Sequence, residues 1–148
     1  MSGNAGAILF TVVAGVAATI QAAINATLGR RIGTLEAAVF QTVVAMLIFT
    51  ALALGFRQGF GGVWSAFRQP AWLWLGGLMG VIIVMALTFA PQRIGVVAFS
   101  GILVGGQFAM AAIVDRFGLL GVERIGFTWQ RVLGLSLLAA GAALVLKR

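Results

Sequence analysis

The sequence predicts an all-α integral membrane protein, a bundle of five transmembrane helices assembling as an antiparallel, dual-topology dimer. Three observations lead there. The chain of 148 residues is 61% hydrophobic and only 9% charged, with a mean hydropathy of +1.11. Its apolar residues fall in long runs that end at arginine, glycine or proline, and its basic residues divide evenly between the two membrane faces that five such runs define. Soluble domains carry about 25% charge and about 45 to 50% apolar residues. One small core cannot hide the excess, so the solvent for these surfaces is lipid.

A spanning helix needs about 20 apolar residues to cross about 30 Å of hydrocarbon. Five segments qualify, and they form a single domain over residues 1–148. The first covers residues 5–28 and ends at Gly29, Arg30 and Arg31. The second, 35–56, stops at Arg57, and the third, 71–90, lies between Pro70 and Pro91. The fourth is 94–114, bounded by Arg93 and Asp115. The fifth, 128–146, is strictly apolar only from Val132 to Leu146 and needs Thr128 to Arg131 to reach across. The first segment reads as a span and not a cleaved signal, because no basic side chain precedes it and its apolar run exceeds the about 7 to 15 residues of a signal core. Residues 57–68, with Phe60, Trp64 and Phe67, read as a segment resting among headgroups, and 115–130 as an interfacial loop.

Whole classes of function drop out. There is no cysteine and no histidine, so nitrogen-and-sulfur metal sites and His-based acid–base chemistry have no ligands or bases. Asp115, Glu123 and Glu36 are too few and too scattered for a hydrolytic or glycosidic constellation, so no enzyme and no cofactor is expected. The net charge of +7 comes in ones and twos between apolar blocks, without the basic stripe that tracks phosphates, so nucleic acid is not expected as a partner. Membrane lipids are.

Five crossings put the termini on opposite faces. The face with the N-terminus then holds Arg57, Arg68, Arg116, Arg124 and Arg131, and the other Arg30, Arg31, Arg93, Lys147 and Arg148. Orientation follows the excess of Lys and Arg in short loops, and here five stand against five. Either copies insert both ways, or the balance is accidental and one loop decides. Trp64, Trp72, Trp74 and Trp129 all sit at the first face, whereas aromatic belts decorate both interfaces; an antiparallel pair restores the second belt. Such a pair is a two-chain version of the inverted repeats of many transporters, whose substrate site lies near the midplane.

Polar side chains inside the spans are the candidate substrate contacts. Gln21 and Asn25, four apart, share a helix face with Ala14 and Ala18; the second span contributes Gln41, and the fourth Ser100 and Gln107. In hydrocarbon these groups need partners. Gln21, Asn25, Gln41 and Gln107 either line a translocation cavity, with Phe40, Phe99 and Phe108 as walls, or tie helices together by hydrogen bonds. Glu36 is the only acid within a span. It reads either as a first-turn anion in a helix capped by Thr34, near Arg30 and Arg31, or as a proton or cation relay. Glycines four apart, Gly76/Gly80 and Gly101/Gly105, read as close helix packing. The tripeptide Arg-Ile-Gly recurs at 31–33, 93–95 and 124–126 and twice opens a span.

The stretch Gln21-Ala22-Ala23-Ile24-Asn25-Ala26-Thr27-Leu28-Gly29-Arg30-Arg31-Ile32-Gly33 resembles the glutamine-to-arginine segment of the YdcZ-like small inner-membrane proteins, a branch of the drug/metabolite transporter superfamily. Asp115-Arg116-Phe117-Gly118-Leu119-Leu120-Gly121, followed by Gln130-Arg131-Val132-Leu133-Gly134 and Gly141, resembles that family's last connection and final helix. The resemblance implies a bacterial inner-membrane protein with five helices, antiparallel assembly of dual-topology, paired or fused copies, and export. It supplies no substrate. The expected function is small-molecule transport by alternating access as an antiparallel homodimer, or as a heterodimer with a close paralogue. The alternative is a non-transporting membrane subunit that stabilises or regulates a partner complex.

Overall fold

The computed structural model of the chain describes residues 2–56, 60–119, 124, 126 and 128–146. They form helix α1 (Ser2–Ile32), α2 (Thr34–Gly55), a short α3 (Gly61–Ala66), a 3-10 turn (Ala71–Trp74), α4 (Leu75–Ile94), α5 (Val96–Phe117) and α6 (Trp129–Leu146). No strand occurs among the described residues. Helix is what lipid demands, since only an element that pairs its own backbone groups can cross hydrocarbon. Among the described residues four stretches are long and apolar enough to cross a membrane, Asn4–Ile32, Thr34–Gly55, Ala71–Ile94 and Val96–Phe117. In none is more than 11% of the apolar window buried within the chain. Helix α6 has 18 residues and carries a shorter apolar stretch, Val132–Gly141. Of the basic residues tallied above, Arg57, Lys147 and Arg148 lie outside the described residues, as does Glu123.

Helix ends differ from the sequence expectation by a few residues, α5 for example being Val96–Phe117, and two helices run on past residues read as stops. Helix α1 runs on through Gly29, Arg30 and Arg31 to Ile32. Helix α4 continues through Pro91 to Ile94 instead of closing at Ala90. Proline has no N–H, so it deprives the Leu87 carbonyl of its helical donor, a loss that spanning helices accommodate where neighbouring groups cover the site. Leu87, Thr88 and Pro91 are all buried.

The chain divides into two compact units, Met1–Arg93 and Ile94–Arg148. In the first, α1 packs on α2, and the link between them is one residue, Gly33, at φ 105° and ψ 150°. Its N–H donates to the Gly29 carbonyl at 3.0 Å and its carbonyl accepts from the Ala37 N–H at 3.1 Å, so the chain turns without losing a backbone hydrogen bond. The Glu36 carboxylate occupies the space where a Cβ at Gly33 would stand. Gly33, and not Thr34, is therefore the N-cap of α2, and no side chain caps that helix end. The buried core of this unit is made of small residues of α1 (Ala22, Asn25, Ala26, Gly29) and α2 (Ala37, Ala38) with Leu87, Thr88 and Pro91 of α4. Helices α1 and α4 meet at Gly29, where an added Cβ would stand 2.5 Å from Gln92 Nε2 and 3.0 Å from Thr88 Cγ2. The aromatics of the α2–α4 connection form a row: the Trp64 and Phe67 rings lie 5.7 Å apart, and Phe67 meets Trp74 edge-on at 5.5 Å. Amphipathic rings in such a row suit the headgroup zone.

In the second unit α5 packs on α6. Gly95, at φ 81°, is the N-cap of α5, and its carbonyl accepts from the Phe99 N–H at 3.1 Å. Gly118, left-handed at φ 62°, ends α5, and Arg124 Nε donates to the Phe117 carbonyl at 3.2 Å, a cation placed where the helix dipole favours one. Two of the three Arg-Ile-Gly tripeptides thus end one helix and begin the next at a positive-φ glycine.

Gly33 occupies a backbone region open essentially to glycine alone, so Gly33→Ala is expected to lower stability in detergent by about 1 to 3 kcal/mol. Gly29→Ala is expected to cost a similar amount, about 1 to 3 kcal/mol, by overpacking. Because the atom in its way is the end of a flexible side chain, Gly29→Ala combined with Gln92→Ala should recover part of that loss. Unfolding followed by circular dichroism across a denaturing-detergent titration checks both, and full additivity of the pair would contradict the packing described here.

Candidate functional site

Hydroxyl groups within the helices solve their hydrogen-bonding problem locally. Thr11, Thr19, Thr27, Thr42, Thr88 and Ser136 each donate to the carbonyl four residues earlier, at 2.8 to 3.2 Å. An amide is longer and carries both donors and acceptors, so one back-bond cannot satisfy it. The amides are therefore where the chain's polar chemistry is concentrated.

Asn25 is the extreme case. It is 0% exposed, and neither Nδ2 nor Oδ1 has a hydrogen-bond partner. Leaving a buried donor or acceptor unsatisfied costs about 1 to 3 kcal/mol per group, so such an atom calls for an explanation. Its burial also removes the Asn25-Ala26-Thr27 sequon from any modifying enzyme. Gln21, one turn earlier on the same helix, is exposed; Gln41 on α2 is half-buried; Gln107, in the second unit, is exposed on α5. None of these three has a hydrogen bond among the described residues. Of the aromatic walls, Phe99 is buried, whereas Phe40 and Phe108 are exposed.

Glu36 stands in the first turn of α2 and is exposed. Its carboxylate folds back over Gly33, at the helix end whose dipole favours an anion. Arg30 turns instead to Thr27, donating to its Oγ1 at 3.3 Å, and Arg93 stacks over the Phe89 ring with its Cζ 5.2 Å from the centroid.

Sequence reasoning missed the most connected polar group, Gln92. Its Nε2 donates to the Thr88 carbonyl at 2.6 Å and to Thr34 Oγ1 at 3.4 Å, tying the end of α4 to the start of α2 directly over Gly29. The signal that would have found it is the Thr88–Gln92 spacing of four, which puts both on one helix face once α4 is carried through Pro91. Reading Pro91 as a stop placed Gln92 in a loop. Gly29 was likewise visible only as part of a motif. By contrast, among the described residues nothing lies within 4 Å of an added Cβ at Gly76, Gly80 or Gly105.

An open groove of about 390 Å³ runs along α1, lined by Ala23, Ile24, Thr27, Leu28 and Arg31. At 100° per residue that stripe lies roughly opposite the buried face that carries Asn25. The groove and the polar residues are therefore separate features, and the chemistry lies with the latter. Neutral donors and acceptors of this kind can orient a solute by hydrogen bonding.

Comparison with curated proteins and with solved structures returns no match. Among protein families, the one described as "Putative inner membrane exporter, YdcZ" matches residues 6–144, nearly the whole chain. The chain belongs to the YdcZ family of inner-membrane proteins.

Proposed function

We propose that the protein exports small molecules by alternating access as an antiparallel homodimer of five-span protomers inserted in both orientations. The observation that carries this reading is the set of in-span amides, Gln21, Gln41 and Gln107, that have no hydrogen bond among the described residues. Exposed amides facing lipid are costly, so a second protein surface or a polar cavity is needed beside them. The open glycines at Gly76, Gly80 and Gly105 offer surfaces on which another helix backbone can approach closely.

At about 1.5 Å per residue, Gln21 lies about 16 Å from the end of α1 at Ile32 and Gln107 about 15 Å from the end of α5 at Phe117. In the five-span arrangement those ends fall on opposite faces. Both amides therefore lie about half of the roughly 30 Å hydrocarbon thickness from a face, and a two-fold axis in the membrane plane keeps the Gln107 of one protomer level with the Gln21 of its partner. In this reading Gln21, Asn25, Gln41 and Gln107 contact substrate, and the small-residue faces permit the rocking. Glu36, in the first turn beside Gly33, stabilises its helix end and is not needed as a proton or cation relay. The alternative of a non-transporting subunit is separated by proteoliposome flux: a tight seal against a broad solute panel, with co-purification of a larger complex, favours the subunit.

Single cysteines near each terminus of this cysteine-free chain should each react with impermeant reagent from both sides of intact vesicles; reaction from one side only would defeat dual insertion. Gln21→Leu and Gln107→Leu should each reduce flux at least tenfold, while unchanged flux with weakened dimers would make these amides structural. Glu36→Gln should leave the pH profile of flux unshifted, and loss of pH dependence would restore the relay.

A further inference from the structure

Among its described residues unit 1 holds one buried side chain whose hydrogen-bonding capacity is wholly unused, the amide of Asn25, one turn before Gly29 on the same face of α1. At Gly29 that face meets Thr88 and Gln92 of α4. Two features of the α4 turn that meets Gly29, one helical turn from Asn25, add buried polar capacity. Pro91 has no N–H to give the Leu87 carbonyl, and Leu87 is 6% exposed. Thr88 is 0% exposed, and its hydroxyl donates to Val84, so its oxygen still has a lone pair to offer. Gln92, one turn further, lies across Gly29 as a cover held by two hydrogen bonds that a side-chain rotation releases.

Taken together these residues hold spare donors and acceptors and no charge. Arg30, Arg31, Glu36 and Arg93 are all exposed. An ion brought to Asn25 would be buried without a counter-charge, which is unfavourable, whereas a neutral hydroxyl or amide group would satisfy both amide atoms.

We propose that Asn25, Thr88 and the Leu87 carbonyl form a buried seat in unit 1 for one uncharged group bearing both a hydrogen-bond donor and an acceptor, with Gln92 as its movable cover. The occupant is a water molecule or the hydroxyl or amide of a neutral solute. The seat deepens the exporter reading and rests on it only where a solute occupant is taken to be cargo.

The test places Thr88→Cys, the only cysteine in the chain, in sealed vesicles and follows its modification by three methanethiosulfonates of similar reach: hydroxyethyl (neutral), trimethylammonioethyl (cationic) and sulfonatoethyl (anionic). Ser65→Cys, at an exposed position, is the reactive control. The neutral reagent should modify Thr88→Cys at least tenfold faster than either charged one after normalisation to the control, and adding Asn25→Leu should slow it at least fivefold. Protection by acetamide but not by sodium acetate assigns the occupant as a solute amide, and no protection by either assigns water; both support the seat. Equal reaction with charged reagents, no effect of Asn25→Leu, or complete inertness beside a reactive control would overturn it. If Thr88→Cys does not fold, Ala26→Cys, 2% exposed and adjacent to Asn25, reports on the same place. Labelling does not depend on flux: the seat survives a failure of export, and a flux-competent protein with an inert Thr88→Cys overturns the seat alone.

Discussion

Hydrocarbon offers no hydrogen bonds, and the rest of this structure follows from that constraint. It makes every described crossing element a helix, because a helix satisfies its own backbone. It disposes of Thr11, Thr19, Thr27, Thr42 and Thr88, whose hydroxyls fold back onto the preceding turn. It leaves the amides of Asn25, Gln21, Gln41 and Gln107 as the groups that cannot be settled locally. The same constraint explains Gln92, which occupies the Thr88 carbonyl and the Thr34 hydroxyl where a proline has disturbed the helix ladder.

Glycine does two physically different jobs here. Gly33 and Gly95 adopt positive φ and let one helix follow another with a single residue between them, both backbone groups of Gly33 remaining bonded. Gly29 has ordinary helical geometry and works by absence, since only a hydrogen leaves space for the Gln92 amide against α1. A third set, Gly76, Gly80 and Gly105, faces open space. Their spacing of four resembles that of a packing motif, yet spacing states only that a face is smooth and not what lies against it.

Membership of an exporter family and a chain that buries little of its own apolar surface point the same way. Gln21 and Gln107 are exposed on their helices, and the antiparallel dimer proposed above would cover them. The polar chemistry at Asn25 and Thr88 carries no charge.

Composition and run length alone determined the solvent, the helical class and the approximate ends of the helices, because burial in lipid is decided residue by residue along the chain. The glycines at the corners were legible as recurrent Arg-Ile-Gly, and Asn25 as a polar residue in an apolar run. Tertiary structure decided the rest. Pro91 read as a terminator because the local rule is steric, whereas its tolerance depends on what covers the freed carbonyl. Thr34 read as a cap because its chemistry fits, whereas the backbone placed Gly33 there. Gln21 and Asn25 share a helix and a residue class, yet one is exposed and the other sealed, because burial depends on which neighbouring helix arrives at which face, and the sequence of α1 does not encode that.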